Sequence, residues 1–246
     1  WFNNLYTETK FANNSGTSIT KARENYFTST VEAFTGVSEN NRINIGAIIE
    51  YRSNTTGGRK ALSVFSLKDD PNSERKGITS IAPAIKFQPF KNIGNFSIQT
   101  ALHIPLVKNE TENGVFLDQT AWTFQNRLFY DYSFNSQWQL FAELNTEYNF
   151  GKQEDSFAND TFRLTPGVFL SYFPSSKFTV LGLVQHSELL SINNANDFSQ
   201  NYTAVGGGAK YQLTKVLNVE MLYTNFVRGK SSGLGQTFNL GLRALF

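Results

Sequence analysis

The run Gln137-Trp138-Gln139-Leu140-Phe141-Ala142-Glu143-Leu144-Asn145-Thr146-Glu147-Tyr148-Asn149-Phe150 decides the fold. Its even positions are Trp138, Leu140, Ala142, Leu144, Thr146, Tyr148 and Phe150. Its odd positions are Gln139, Phe141, Glu143, Asn145, Glu147 and Asn149. A period of two places one set on each face of a β-strand, because successive side chains point to opposite sides. Strands of soluble sheets usually run about 5–6 residues. This alternation lasts through the whole run, with aromatics at both ends of the apolar face. That is the length of a strand that crosses a bilayer, about 9–11 residues.

The pattern recurs along the chain. In Arg42–Arg52, Ile43, Ile45, Ala47, Ile49 and Tyr51 oppose Asn44, Glu50 and Arg52. In Phe96–Leu106, Phe96, Ile98, Thr100, Leu102, Ile104 and Leu106 oppose Ser97, Gln99, Ala101 and His103. Ala121–Ser133 sets Trp122, Phe124, Leu128, Tyr130 and Tyr132 against Thr123, Gln125, Arg127 and Asp131. Thr161–Phe173 sets Phe162, Leu164, Pro166, Val168, Leu170 and Tyr172 against Arg163, Thr165 and Ser171. Weaker strands are read at Phe2–Phe11, Asn25–Val37, Ile78–Pro89, Lys177–His186, Asn201–Tyr211, Leu217–Arg228 and Gln236–Phe246. The total is about twelve, an even number, as single-chain bacterial barrels require. Connections alternate between short turns (Ser38–Asn41, Phe90–Asn95, Phe134–Ser136, Pro174–Ser176, Gln212–Lys215) and long polar loops (Ala12–Glu24, Ser53–Gly77, Val107–Thr120, Gly151–Asp160, Ser187–Gln200, Gly229–Gly235). No boundary divides residues 1–246, which read as one domain.

Composition agrees. Aromatics make up 15% of the 246 residues, yet the hydrophobic fraction is only 40% and the mean hydropathy is −0.33. A membrane helix needs about 20 consecutive apolar residues, and the most apolar stretches, Ile45–Ile49 and Val180–Val184, are far shorter. A barrel needs only alternate residues to meet lipid. The chain has no cysteine, which suits an oxidising compartment. A formal charge of +2 gives no argument for nucleic acid. An open sheet in lipid would leave unpaired N–H and C=O groups, each costing several kcal/mol. Closure removes both edges, so Phe2–Phe11 is expected to pair with Gln236–Phe246.

The final stretch Phe238-Asn239-Leu240-Gly241-Leu242-Arg243-Ala244-Leu245-Phe246 alternates and stops on an aromatic. It resembles the closing strand of bacterial outer-membrane β-barrels, in which this ending signals assembly. The resemblance implies that Phe238, Leu240, Leu242 and Phe246 carry that signal, and that outer-membrane lipid and the barrel assembly machinery are partners. The whole chain looks like a small bacterial outer-membrane barrel. The Asn- and Phe-rich style of Phe141–Gly151 is similar to barrels of the Bacteroidota. The implied fold is an all-β, antiparallel, up-and-down transmembrane barrel with short periplasmic turns and longer extracellular loops, located in the outer membrane.

Parity turns acids Glu32, Glu50, Asp131, Glu143, Glu147 and Glu220 inward, with bases Arg52, Lys86, Arg127, Arg163, Lys210 and Arg243. The polar lumen cluster expected to matter most is Arg127, Asp131, Glu143, Glu147, Arg163 and Arg243, with Arg127 expected to contact Glu143 or Glu147 across the turn Phe134–Ser136 and, counting back from that turn, falling near Glu143. Such charges either pair across strands to fill a narrow interior or line a pore that selects solutes. Catalysis is not expected: His186 and Ser187 are adjacent and point to opposite faces, and Ala101 and Pro105, which flank His103 on its face, are no nucleophiles. No metal or cofactor is expected. The oxygen-rich stretch Asp69–Glu74 lacks the glycine of an EF-hand loop. The cationic segments Arg59-Lys60, Glu74-Arg75-Lys76 and Arg228-Gly229-Lys230 lie where loop charges solvate a barrel or meet lipid phosphates. Gly206-Gly207-Gly208 within a strand reads as a curvature device. Two functions stay open: a narrow passive channel for small hydrophilic solutes, which is preferred, and a filled accessory or scaffold subunit bound to other outer-membrane proteins.

Overall fold

The computed structural model describes residues 1–40, 42–68, 70–151, 160–192 and 199–245. Fourteen strands are present among them: β1 (Phe2–Ala12), β2 (Ser18–Gly36), β3 (Ile43–Thr55), β4 (Glu74–Phe87), β5 (Phe96–Pro105), β6 (Thr111–Glu112), β7 (Val115–Phe116), β8 (Trp122–Ser133), β9 (Trp138–Phe150), β10 (Thr161–Tyr172), β11 (Phe178–Ser191), β12 (Ser199–Gln212), β13 (Leu217–Lys230) and β14 (Ser232–Ala244). Twelve of them form one closed antiparallel barrel in chain order, and β6–β7 is a small hairpin in the connection from β5 to β8. The β1–β14 seam closes the wall, from Phe2 opposite Gly241 to Ala12 opposite Ser232. All twelve expected strands are therefore present, and the start of β1 and the end of β14 lie on the short-turn side.

Directly paired residues share a face of a sheet, so the register fixes the lumen. Glu147 stands opposite Gln125 and Arg163. Glu220 stands opposite Lys210 and Gly241, Gly241 opposite Phe2, Phe2 opposite Thr30, and Thr30 opposite Glu50. The twelve charges read as inward all belong to this face. The other face is apolar and exposed to the surroundings: Ile45, Ile49, Ile85, Val168, Val184, Phe238 and Leu240 are all at least 37% exposed. In lipid that exposure is favourable. Leu242 shares this face, paired with Val219, and Phe246 lies outside the described residues. Trp122, Phe124 and Phe150 on the loop side, and Tyr130, Tyr132 and Trp138 on the turn side, form two aromatic bands on the outer wall. Such girdles mark the two membrane interfaces.

Four connections differ from the expectation. Ala12–Glu24 is mostly strand: β2 begins at Ser18, so only residues 13–17 form the turn. Gly229–Gly235 is no long loop, because β13 runs to Lys230 and β14 starts at Ser232. Ser231 makes this tight reversal at φ 50°. Alternation is weak in these extensions because beyond the bilayer both faces meet water, so no apolar periodicity is needed. The third, Val107–Thr120, folds inward and is described below. A fourth, Ser187–Gln200, is shorter than expected, because β11 runs to Ser191 and β12 starts at Ser199, with 193–198 outside the described residues; the connection 151–160 falls largely outside them.

Gly206–Gly208 faces β13 at very close range. A Cβ on Gly206 would lie 2.0 Å from the Tyr223 carbonyl oxygen, and one on Gly208 2.0 Å from that of Met221. The neighbouring backbones lie closer there than any side chain permits, which is why glycine occupies these positions.

Candidate functional site: the lumen and its inward loop

The strands β8, β9 and β10 supply the central ion pairs. Arg127 Nε donates to Glu143 Oε1 at 2.8 Å, and its Nη1 reaches Glu32 Oε1 of β2 at 3.2 Å across the lumen. Glu147 pairs instead with Arg163, Nε to Oε2 at 3.3 Å. The register explains this: Arg163 is directly opposite Glu147, while Arg127 is opposite Asn145 and diagonal to Glu143. Lys210 Nζ lies 2.6 Å from Glu220 Oε2. Asp131 accepts from Gln139 Nε2 at 3.0 Å, and Arg243 is exposed at the turn-side mouth. These two stand apart from the Arg127 cluster. The paired groups keep much of their exposure inside the closed wall: 27% for Arg127, 33% for Glu32, 31% for Arg163 and 40% for Lys210.

Two apolar stripes share the inner face with these charges. On the turn side, Phe141 stacks at 5.9 Å on Phe129 and lies 5.5 Å from Phe169. Lys86 and Arg127 sit over the Phe129 ring at 4.9 and 5.1 Å. On the loop side, Tyr202, Phe226, Tyr6 and Tyr26 run in sequence, with centroids 4.2, 4.9 and 6.0 Å apart. The hydroxyls of Tyr6 and Tyr26 donate to Glu8 and Glu24, and Lys21 Nζ bridges those two carboxylates at 2.8 Å each. Each stripe shares its strands with the charged pairs, so that rings and ion pairs lie side by side on the inner face. The inward aromatics Phe129, Phe169, Tyr6, Tyr26, Tyr202 and Phe226 were not singled out from sequence. Their signal was parity, since each occupies the register of inward charges.

The connection between β5 and β8 turns back into the lumen mouth. Arg75 donates to the carbonyls of Asn109, Glu110 and Val115 at 2.8–3.3 Å, and Asn54 donates to those of Phe116 and Leu117 at 2.8 and 3.0 Å. Arg52 Nη1 meets Asp118 Oδ1 at 3.1 Å. Gln119 donates to Thr123 and Asn149 at 2.7 Å each. The buried Val115, Leu117 and Ala121 complete the plug. Burial pushes the Asp118 carboxyl above its ordinary pKa and outweighs the opposing pull of Arg52. Beneath the loop is a cavity of about 70 Å³, bordered by Glu50, Arg52, His103, Asp118, Gln125 and Glu147, room for several waters. Buried polar atoms without a protein partner include Asn4 Oδ1, Arg52 Nε, Gln99 Nε2, His103 Nε2, Asn145 Oδ1 and Asn239 Oδ1. All six are on lumen-facing residues.

The structure adds one contact around His103 that the sequence did not reveal. Ser80 Oγ of β4 lies 3.4 Å from His103 Nδ1 and donates to Glu50 Oε2 at 3.3 Å. The carboxylate meets the serine rather than the imidazole, so the three are not in the order of a hydrolase triad. His186 faces outward with Glu188, Nε2 to Oε2 at 3.5 Å. Of the oxygen-rich stretch, Asp69 lies outside the described residues, while Asp70 and Glu74 hold Arg59 at 3.6 and 3.2 Å. No metal-ligating cluster occurs among the described residues.

An even-stranded closed barrel with an apolar, girdled outer wall and a charged inner face defines a bacterial outer-membrane β-barrel protein. Its fold matches an outer membrane channel from Pseudomonas putida F1 at TM-score 0.68 and 10% identity, covering 100% of this chain and 94% of that one. It also matches the β domain of the Bordetella autotransporter BrkA, at TM-score 0.63 and 12% identity, covering 100% and 98%. No curated protein matches the sequence. Residues 10–242 match the family model described as "Putative MetA-pathway of phenol degradation", and the chain belongs to that family.

Proposed function

We propose that this protein is a narrow passive channel for small hydrophilic solutes. One observation carries the proposal: the inner face of a closed wall keeps its ion-paired side chains 15–40% exposed, and its unpartnered polar atoms face the same space. Buried polar groups are nearly always hydrogen-bonded, so a hydrated lumen is the arrangement that satisfies them. The inward loop narrows the path. The solutes best suited to aromatic stripes set against paired charges are small ring compounds with a polar group. A phenol, the substance in the family's description, has that build. The experiment is conductance in planar bilayers. The purified barrel should conduct ohmically, and the double variant Glu143→Lys, Glu147→Lys should shift selectivity toward anions. A silent bilayer, with a stable outer-membrane partner in the same preparation, would favour the scaffold reading instead.

A further inference from the structure

The connection between β3 and β4 does not project away from the barrel. Ser53 is paired with Phe27, Phe27 with Leu5, and Leu5 with Phe238, and Phe238 is 49% exposed on the outer wall. Ser53 therefore points outward, as do Thr55 and Asn25, which are paired with each other. All three are fully buried, with 0% exposure. What covers them is the connection itself. Ser53 Oγ donates to the Val64 carbonyl at 2.7 Å, Thr55 Oγ1 lies 2.9 Å from Ser63 Oγ, and Asn25 Nδ2 donates to the carbonyls of Arg59 and Lys60 at 3.2 and 3.3 Å. Val64 packs on Leu5, Phe27 and Tyr51. The Phe65 ring meets Phe27 edge-on at 4.8 Å. The 3-10 turn Ala61–Phe65 thus lies as a flap on the outside of the wall.

The far side of this flap is apolar and exposed, including the part of the Phe65 ring turned away from Phe27. Leu62, Phe65 and Leu67 are 69%, 53% and 97% exposed. Its height follows from the strand below it. The outward apolar run of β3 starts at Ile43 and needs about 9–11 residues to cross the hydrocarbon layer, which places Ser53 and Thr55 at the loop-side interface. Exposed Lys60 and Lys68 flank the apolar residues and make no ion pair among the described residues. Arg59, by contrast, is held by Asp70 and Glu74 as an internal strut.

We propose that this flap is a docking site for the phosphorylated glycolipid of the outer leaflet. Leu62, Phe65 and Leu67 enter the acyl layer at its upper boundary. Lys60 and Lys68 meet the phosphates above them through charge-assisted contacts. The flap also hides polar groups of the wall that lipid would otherwise meet unpaired.

The chain has no cysteine, so Leu67→Cys can carry a single environment-sensitive fluorophore on the full barrel. The probes are phosphatidylcholine vesicles with and without lipopolysaccharide, and folding is checked by heat-modifiable gel mobility. The emission should be blue-shifted and quenched by shallow nitroxide lipids, and both effects should strengthen when lipopolysaccharide is present. Adding Lys60→Gln and Lys68→Gln should raise the lipopolysaccharide concentration needed by roughly 25-fold, on the basis of about fivefold per lysine near an anionic surface. A water-like spectrum in both vesicles overturns the proposal. Insertion that is indifferent to lipopolysaccharide and to the two lysines overturns the glycolipid assignment.

Discussion

Replacing Arg127 by Ala tests whether the lumen is wet. In a dry interior the change would strand the Glu143 and Glu32 carboxylates, at 2.8 and 3.2 Å, and breaking such a pair costs about 3–5 kcal/mol. Fully solvated pairs contribute only about 0–1 kcal/mol. The three side chains are 27%, 15% and 33% exposed, so screening removes much of the interaction and the expected loss is about 1–2 kcal/mol. For a chain of this size each kcal/mol moves the midpoint by about 2–4 °C, which predicts a drop of a few degrees. The assay is thermal unfolding of the detergent-folded barrel, followed by tryptophan fluorescence and by loss of heat-modifiable mobility. In bilayers the same variant should favour cations more than the parent, because one lumen guanidinium is gone. A loss of about 4 kcal/mol or more, together with no change in ion selectivity, would refute the hydrated-lumen argument.

Other substitutions probe separate parts of the structure. Gly208→Val should abolish or sharply reduce folded barrel on gels, because even its Cβ would lie 2.0 Å from the Met221 carbonyl oxygen and neither backbone can retreat. Val168→Arg, on the lipid face at 47% exposure, should lower stability to urea by about 2–4 kcal/mol in lipid, a change that a wrong inside–outside assignment would not produce. Arg75→Ala removes three hydrogen bonds to the inward loop and should raise single-channel conductance with little effect on the unfolding midpoint. Acidification should not loosen that loop. The docked Asp118 carboxyl has a raised pKa, so the docked state binds a proton more readily than the released state, and docking strengthens as pH falls into that range. A spin label at Leu117 that gained mobility on acidification would contradict this.

The barrel was legible because lipid imposes a strict two-residue period on every spanning segment. Glu143, Glu147, Arg127 and Arg163 were placed inward from parity alone, and Arg127 was placed near Glu143 by counting back from the turn at Phe134–Ser136. The preference of Glu147 for Arg163 was not legible, since it depends on the β9–β10 register, which sets the two directly opposite each other across a long connection. The inward loop was read as a solvated connection because its anchors are carbonyls. Arg75 and Asn54 hold backbone oxygens of residues 109–117, and any sequence supplies those. The same holds for the flap, where Asn25 and Ser53 grip the carbonyls of Arg59, Lys60 and Val64. Beyond the bilayer, β2 from Ser18 and the β13–β14 reversal lost the apolar period that marks a strand.

The balance of lumen charge bears on what such a channel could select. Most of the inward acids and bases neutralise one another at contact distance, as in Arg127 with Glu143 and Glu32, Arg163 with Glu147, and Lys210 with Glu220. Paired charges leave a weak net field along the axis, so discrimination by solute charge should be modest. Shape and surface chemistry then remain: the constriction made by residues 109–121, and the aromatic stripes at each end. The stripes sit on different strands at the two levels, β8–β10 on the turn side and β12, β13, β1 and β2 on the loop side. A solute moving through would therefore leave one aromatic surface, pass the ion pairs and the cavity at Glu50, His103 and Glu147, and reach the other. On the proposed function, a ring with one polar group would find an aromatic surface at both levels of that path. A strongly hydrated ion meets only pairs that are already satisfied.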